Sequence, residues 1–213
     1  MAEKGLVETM STLRAVREFT DRPISHALMR QLMELATKAS NDRNLQDWRF
    51  IVVRDPDMRK KMGQVYLDGL LNYHKSIGRE ASNAAQVLAL ADLPQMQRDS
   101  LNMARQMVEG KVPPVYVAAC YHQTSGLDPG MSLYPAIQNL TLAAWSFGIG
   151  SVLTTSTRRN EKAIRQVLGL PDDVVFVALI PMGYPARRYG PPRRKPVEEV
   201  TFGDRWGTPF KEP

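Results

Sequence analysis

The chain has 213 residues, of which 43% are hydrophobic and 23% are charged. This composition argues against disorder, and the length favours one folded domain over residues 1–213. No apolar run reaches the roughly 20 residues needed to cross a bilayer, and residues 1–10 lack the apolar stretch of a secretory signal. The single cysteine, Cys120, excludes an internal disulfide framework. We therefore expect a soluble cytoplasmic protein that does not associate with membranes.

The formal net charge is +6, and the basic residues are densest near the C-terminus, at Arg187, Arg188, Arg193, Arg194 and Lys195. Such a cluster fits either a solvated basic surface or a site for a phosphate-bearing ligand. Nucleic-acid binding is a third possibility, but the sequence contains no zinc finger, RNP-like motif or heptad-linked basic region. We therefore expect no nucleic-acid partner.

The first third of the chain alternates helix, loop and strand signals. A short helix is predicted over Thr12–Phe19, and a second follows Ser25, a suitable N-cap, to about Ala39. The polar stretch 40–47 indicates a loop, and the β-forming run Trp48–Val53 indicates a strand. Pro56 then lies at an early position of a third helix.

The middle of the chain, residues 58–109, is predicted to be mostly helical, with interruptions at Gly78 and Pro94. Its role stays open between core or dimer packing and a substrate lid. Later elements are a buried strand over 115–120, an apolar helix over 134–147, a helix over Asn160–Leu168 and a strand over Val174–Met182. The tail from residue 190 is basic and Pro-rich, with an extended run predicted over 200–202. This irregular order favours an α+β sheet wrapped by helices over regular βαβ alternation.

Several kinds of catalytic site have no support in the sequence. It contains no Walker A motif, no dinucleotide fingerprint and no G-x-S-x-G elbow. The three histidines, His26, His74 and His122, are scattered without metal-ligand spacing, and they fit surface or packing positions. Cys120 lies within a predicted strand, as an inert core thiol would. We therefore assign no catalytic side chain and no metal, and expect a cofactor to carry any chemistry.

Three segments are candidates for ligand binding. Arg14 and Arg17 would share one face of the predicted first helix, where they would bind a phosphate or belong to a solvated face. The amide-rich loop with Asn41, Asp42 and Asn44 offers donors and acceptors to a heteroaromatic edge, or is a plain connector. The Gly148–Gly150 turn leads into residues 153–156, which either present backbone N–H groups to a flat ligand or simply join a helix to a strand.

In this order the segments resemble the FMN-dependent nitroreductase family, from about Thr12 to about Thr201. The matching pieces are Arg14–Phe19, Ala39–Trp48, Gln138–Leu140 with the helix after it, Gly148–Gly150, Pro181–Pro185 and Arg193–Val200. Residues 62–110 match least. The sequence departs from the family pattern at Ala15, Asn41, Asp47 and Thr154–Ser156.

The resemblance implies an α+β fold with a mostly antiparallel central sheet wrapped by helices. It also implies an intertwined homodimer with two FMN sites at the subunit interface, and a tail, about 190–213, that packs on the partner. In such an enzyme, hydride passes from NAD(P)H through flavin N5 to a small acceptor such as a nitroaromatic or a quinone. Reductive dehalogenation, flavin fragmentation and a non-enzymatic basic binding module remain the alternatives.

The resemblance also assigns residues to the FMN site by position. The phosphate and ribityl end would be held by Arg14, Ala15, Arg17, Arg193 and Arg194. The polar loop would contact the flavin through Asn41, Asp42 and Asn44. The ring would lie along Leu153, Thr154, Thr155 and Ser156, with the backbone N–H of Thr155 near N5.

Overall fold

A computed structural model of the chain describes residues 4–79, 82–122 and 130–210. Its centre is a four-stranded sheet in the order β1-β2-β4-β3, made of β1 (Trp48–Val53), β2 (Val115–His122), β3 (Gly150–Ser151) and β4 (Val174–Gly183). All three strand pairs are antiparallel. The predicted α+β class with an antiparallel central sheet is therefore confirmed.

The sheet is buried on both faces, because successive side chains of its inner strands enter two different cores. Along β2, Tyr116, Ala118 and Cys120 belong to one hydrophobic cluster. Val115, Val117 and Ala119 belong to the other. This alternation is the period-two geometry of a strand, with apolar residues required on both sides. It explains why the sequence of β2 is continuously apolar and shows no polar face.

Seven α-helices surround the sheet within the described ranges. They are α1 (Leu6–Thr12), α2 (His26–Ala36), α3 (Pro56–Ser76), α4 (Ala84–Leu88), α5 (Gln95–Val108), α6 (Gly130–Ser146) and α7 (Glu161–Leu168). Helix α3 packs on α5, and α2 packs on α6. The cluster with Tyr66, Leu101 and Met107 contains the buried apolar side chains of α3 and α5, whereas the cluster with Leu32 and Leu140 contains those of α2 and most of those of α6. The sheet therefore separates two helical layers.

Local chemistry sets several of the predicted helix ends. The Ser25 hydroxyl accepts a hydrogen bond from the Leu28 N–H, so it caps α2 as expected. The Asp55 carboxylate caps α3 in the same way, with Pro56 in the first turn. Gly169 closes α7 in the left-handed conformation, at φ 63°. Among the described residues, no helix is long and apolar enough to cross a membrane.

Two sequence predictions of secondary structure are wrong. The chain is not helical over 12–19, because α1 ends at Thr12 and residues 13–20 are extended. Residues 200–202 form no strand. A 3-10 helix, Val197–Glu199, precedes them, and Phe202 makes only an isolated bridge to Pro209. The end of helix α2 is a smaller difference: it lies at Ala36, whereas the prediction placed it at about Ala39. The last three residues of the tail lie outside the described ranges.

Candidate functional site

An open cavity of about 320 Å³ lies between α3, α5 and the segment that follows β3. This volume is at the lower end of the range for small-molecule pockets. Five residues from the sequence predictions line it, namely Arg17, Leu153, Thr154, Thr155 and Ser156. The fold therefore brings residues that are more than 130 positions apart in the chain to one place.

Arg17 reaches the cavity from an extended segment beside the short strand β3. Ala15 forms a parallel bridge with Ser151, and the Val16 N–H donates to the Ser151 carbonyl at 2.9 Å. Val16 is fully buried, and a Cβ on Gly150 would come within 2.6 Å of its Cγ2 atom. Glycine at position 150 is therefore required for this close approach.

This extended backbone corrects the prediction that Arg14 and Arg17 share a helix face. Residues three apart on an extended chain point to opposite sides. The Arg17 side chain lines the cavity, whereas Arg14 Nη1 donates to the carbonyls of Gly190 and Pro191, at 3.1 Å each. The pairing with Ser151 prevails over the helical pattern because it satisfies backbone groups at the sheet edge and buries Val16.

The segment after β3 exposes backbone donors towards the cavity side. The Thr154 N–H and carbonyl both pair with Leu179 of β4, at 2.9 Å. Neighbouring N–H groups of an extended chain point the other way, and those of Leu153 and Thr155 donate to no acceptor within the described part of the chain. Both residues line the cavity and are exposed. A ligand there would meet unpaired N–H donors.

Polar groups on the cavity floor orient Arg17. Its Nε donates to the Ser100 hydroxyl at 3.0 Å, and this hydroxyl donates to the Met96 carbonyl at 2.8 Å. Burial raises the pKa of the adjacent Tyr66, opposed by the Thr154 and Ser100 hydroxyls and by the charge of Arg17. The Tyr66 hydroxyl is therefore uncharged, and it does not neutralise the positive charge of Arg17 at the floor of the cavity.

The outer wall comes from the helical region 58–109, for which the sequence left open core or dimer packing and a substrate lid. Tyr66, Leu70 and Tyr73 follow each other at helical spacing along α3, and His74 lies beside them. Their i, i+4, i+7 pattern was the available signal, but it is equally typical of a core face. His74 is buried, and burial with the nearby Arg79 charge lowers its pKa. Arg159, which the sequence predictions also missed, completes this wall.

The polar loop with Asn41, Asp42 and Asn44 does not line this cavity. The Asn41 Oδ1 accepts from the Gln46 N–H at 3.0 Å, and the Asp42 N–H donates to the Ser132 hydroxyl at 3.2 Å. Asn44 has a left-handed backbone, with φ 57°, as do Arg43 and Gln46. The loop therefore has defined hydrogen bonds and holds several residues in a left-handed backbone conformation that costs free energy. Such strained conformations are common at functional sites. Asp42 Oδ2 is buried without a hydrogen-bond partner in the described ranges.

The basic tail lies beside the extended N-terminal segment. The contact of Arg14 with Gly190 and Pro191 joins the two chain ends, and Arg187 pairs with Glu18 at 2.8 Å. Arg193 and Arg194 follow a few residues later and are exposed. Arg194 donates only to the carbonyl of its neighbour Arg193, so neither guanidinium forms an ion pair within the described residues. No group of His, Cys, Asp and Glu side chains in those ranges is arranged to hold a metal ion.

Comparison with known proteins places the chain in a family. The model of the nitroreductase family matches residues 12–184, which include the cavity and the whole sheet. The chain is a member of the nitroreductase family. This nitroreductase-family protein is 26% identical over 198 residues to an NADH dehydrogenase of Thermus thermophilus, a match that covers 89% of the chain and 91% of that relative.

Two further matches show the breadth of the family. An iodotyrosine deiodinase of Nematostella vectensis is 23% identical over 205 residues, covering 91% of the chain and 72% of the relative. Among solved structures, the FMN and NADPH-dependent nitroreductase NfnB of Sphigopyxis sp. strain HMH has a TM-score of 0.70 and 21% identity. That match covers 95% of this chain and all of the other. At this identity the structural match shows the shared fold.

Proposed function

We propose that this protein binds FMN and transfers hydride from NAD(P)H, through the flavin, to a small acceptor such as a nitroaromatic or a quinone. The observation that carries the proposal is a cavity lined both by Arg17 and by Leu153 and Thr155, whose backbone N–H groups are unpaired within the described residues. Family membership supports an enzyme over a non-enzymatic binding module. The solved relative named above requires FMN and NADPH by its own description.

The residues present fit a flavin in three respects. Apolar side chains of Leu70, Val152 and Leu153 line the cavity and suit a flat ring. Unpaired backbone N–H groups at its edge suit ring acceptors, and Arg17 suits the negative charge that develops on reduction. Bound FMN would supply hydride acceptance and donation at N5. The protein would hold and orient it, with Arg17 and the backbone N–H of Thr155 as donors in the cavity. In this proposal Arg17 serves the ring end of FMN, instead of the phosphate end to which the resemblance assigned it.

The phosphate end of FMN is assigned to the joined chain ends. Arg14 is hydrogen-bonded to the carbonyls of residues 190 and 191, and the exposed Arg193 and Arg194 follow that contact within four residues. Guanidinium groups bind phosphate through paired hydrogen bonds. Ala15 offers only its backbone to such a group.

A homodimer would complete the site. The loop with Asn41, Asp42 and Asn44 lies away from the cavity of its own chain, so we propose that it serves the cavity of the partner. Apolar side chains are exposed on α1 and in the tail, at Leu6, Val7, Met10, Trp206 and Phe210. Trp206 is 91% exposed and touches Phe202 in a single chain. Burial of such residues against a second copy is favourable at roughly 25 cal/mol per Å².

The function is tested with purified protein under anaerobic conditions. We expect a yellow sample whose flavin absorbance bleaches on addition of NADH or NADPH and recovers on addition of a nitroaromatic or a quinone. A colourless protein that takes up no FMN, or a flavin that neither nicotinamide bleaches, would exclude the proposed reaction. Sedimentation of the same sample checks the homodimer.

Reductive dehalogenation is the second candidate, supported by the likeness to an iodotyrosine deiodinase. The same assay separates the two functions. A halophenol added to the bleached enzyme would restore the flavin colour and release one halide per flavin if dehalogenation is the reaction. Recovery only with nitroaromatics or quinones would exclude it.

A further inference from the structure

A second guanidinium, that of Arg159, lies at the rim of the cavity and has not yet been given a ligand role. Arg159 lies in the 3-10 helix Ser156–Asn160, directly after the segment with the unpaired N–H groups. Its Cζ lies 5.2 Å from the centroid of the Tyr73 ring, within the range of a cation–π contact. The Tyr73 ring in turn makes an edge contact with His74, at 5.4 Å between ring centroids. Aromatic packing therefore orients this cation at the cavity mouth.

Among the residues that the structure describes, Arg159 has no counter-ion. Neither Arg159 nor Arg17 forms an ion pair with another residue of the described ranges, and no carboxylate from those ranges lines the cavity. The carboxylate of Asp92 is bound by Arg79 at 3.0 Å. Arg79 also approaches His74 Nδ1 at 3.4 Å, so this nitrogen acts as an acceptor and His74 adds no charge there.

The two arginines occupy different levels of the cavity. Arg17 is half-buried at the floor and is bonded to Ser100, whereas Arg159 is exposed at the mouth. The aromatic and apolar groups of Tyr73, Leu70 and Leu153 line the same cavity. A flavin held at the floor would engage Arg17 and leave Arg159 for the molecule that stacks upon it.

We propose that Arg159 binds an anionic group, a carboxylate or a phosphate, on the planar molecule that exchanges electrons with the flavin. This inference rests on the proposed function and adds the substrate class. The anion has two possible sources: a carboxylate on an aromatic acceptor, or the 2′-phosphate that distinguishes NADPH from NADH. The neighbouring Arg158 is exposed but does not line the cavity, so it offers a matched control.

The experiment compares Arg159→Gln with Arg158→Gln in the flavin-loaded enzyme. The acceptor pair is 4-nitrobenzoate and 4-nitrobenzamide, which differ in charge, and the donor pair is NADPH and NADH. A charge-assisted hydrogen bond of ordinary strength corresponds to roughly a tenfold to hundredfold change in affinity. We therefore expect the KM of the anionic member of one pair to rise about tenfold or more in Arg159→Gln. The neutral amide, or NADH, should change less than about twofold.

Binding without turnover gives an independent readout. The Kd of 4-nitrobenzoate for the oxidised holoenzyme, followed by the change in flavin absorbance, should rise in Arg159→Gln and be largely restored in Arg159→Lys. In the wild-type enzyme this Kd should also rise with NaCl, whereas the Kd of 4-nitrobenzamide should not. Because the salt dependence is measured on the wild-type enzyme, it tests the inference even if a variant fails to fold.

The outcomes separate the possibilities. If Arg159→Gln loses the preference for 4-nitrobenzoate over 4-nitrobenzamide, Arg159 binds the carboxylate of the acceptor. If it loses the preference for NADPH over NADH, Arg159 binds the 2′-phosphate of the donor. If Arg159→Gln retains its flavin and both preferences match those of Arg158→Gln, Arg159 binds no anion and the inference is wrong while the proposed function stands. A wild-type protein that binds no FMN overturns both.

Discussion

Replacing Arg17 by alanine is the most direct test of the proposed flavin site. Its Nε is bonded to Ser100 at 3.0 Å, while its two Nη atoms donate to no acceptor in the described ranges. Those atoms are available to a ligand at the cavity floor. One charge-assisted hydrogen bond, at roughly 1.5–3 kcal/mol, corresponds to a loss of about tenfold to 150-fold in FMN affinity.

The effect on folding should be small, which keeps the test interpretable. Arg17 makes no ion pair within the described residues and is only half-buried, so its removal leaves no uncompensated charge. We expect the melting temperature of the apoprotein to change by no more than about 2–4 °C, the shift that accompanies about 1 kcal/mol in a chain of this size.

The assay is titration of the apoprotein into FMN, with the quenching of flavin fluorescence as the signal. Arg22→Ala is the matched control, since that guanidinium lies 3.9 Å from the Tyr184 ring centroid and does not line the cavity. Arg17→Lys should fall between the wild type and Arg17→Ala, because lysine keeps the charge but not the planar fork. An FMN Kd for Arg17→Ala within twofold of the control, with a stable apoprotein, would refute the site assignment.

Three further predictions concern packing, reactivity and pH. A Cβ on Gly63 would lie 2.6 Å from the Met107 carbonyl carbon, so Gly63→Ala should force α3 and α5 apart and lower the melting temperature by about 2–12 °C. Gly5→Ala, with no atom within 4 Å, should not lower it, and an equal loss in both would contradict the packing argument. Burial raises the pKa of the Cys120 thiol to about 12, so a disulfide reagent at pH 8 should label it only after unfolding; rapid labelling of the native protein would disprove this. Because burial lowers the pKa of His74 below 6.5, the unfolded chain binds more protons at mildly acid pH, and stability should fall as pH drops below that value. Thermal melts of His74→Gln between about pH 5 and 7 should show a weaker pH dependence than those of the wild type, and identical slopes would exclude His74 as the cause.

Most of the secondary structure follows from local chemistry in the sequence. The run Trp48–Val53 is a strand in the fold with the predicted bounds, because β-branched and aromatic residues favour a pleated, buried surface. Ser25 caps α2 as expected, and Asp55 and Gly169 act at the ends of α3 and α7, since capping needs only the residue itself and the next turn. The ordered motifs also indicated the family, because the spacing of loops and strands is retained when most side chains differ.

Other features of the fold could not be predicted from local sequence patterns. The segment Arg14–Phe19 has a pattern compatible with a helix, but its backbone pairs with Ser151 and Pro185, more than 130 residues away. No window around residue 16 contains those partners, so local propensity cannot anticipate a sheet-edge pairing that they create. The same pairing sends Arg14 to the tail and Arg17 to the cavity.

The sequence by itself determined the helix caps, the apolar strands, the α+β class and five of the residues that line the cavity. Only the tertiary structure brought α3, α5 and the 3-10 helix with Arg159 around that cavity. Only it showed which N–H groups after β3 are unpaired. The physical reason is that capping and periodicity act within a few residues, whereas a cavity and its uncompensated charges exist only where distant segments pack together.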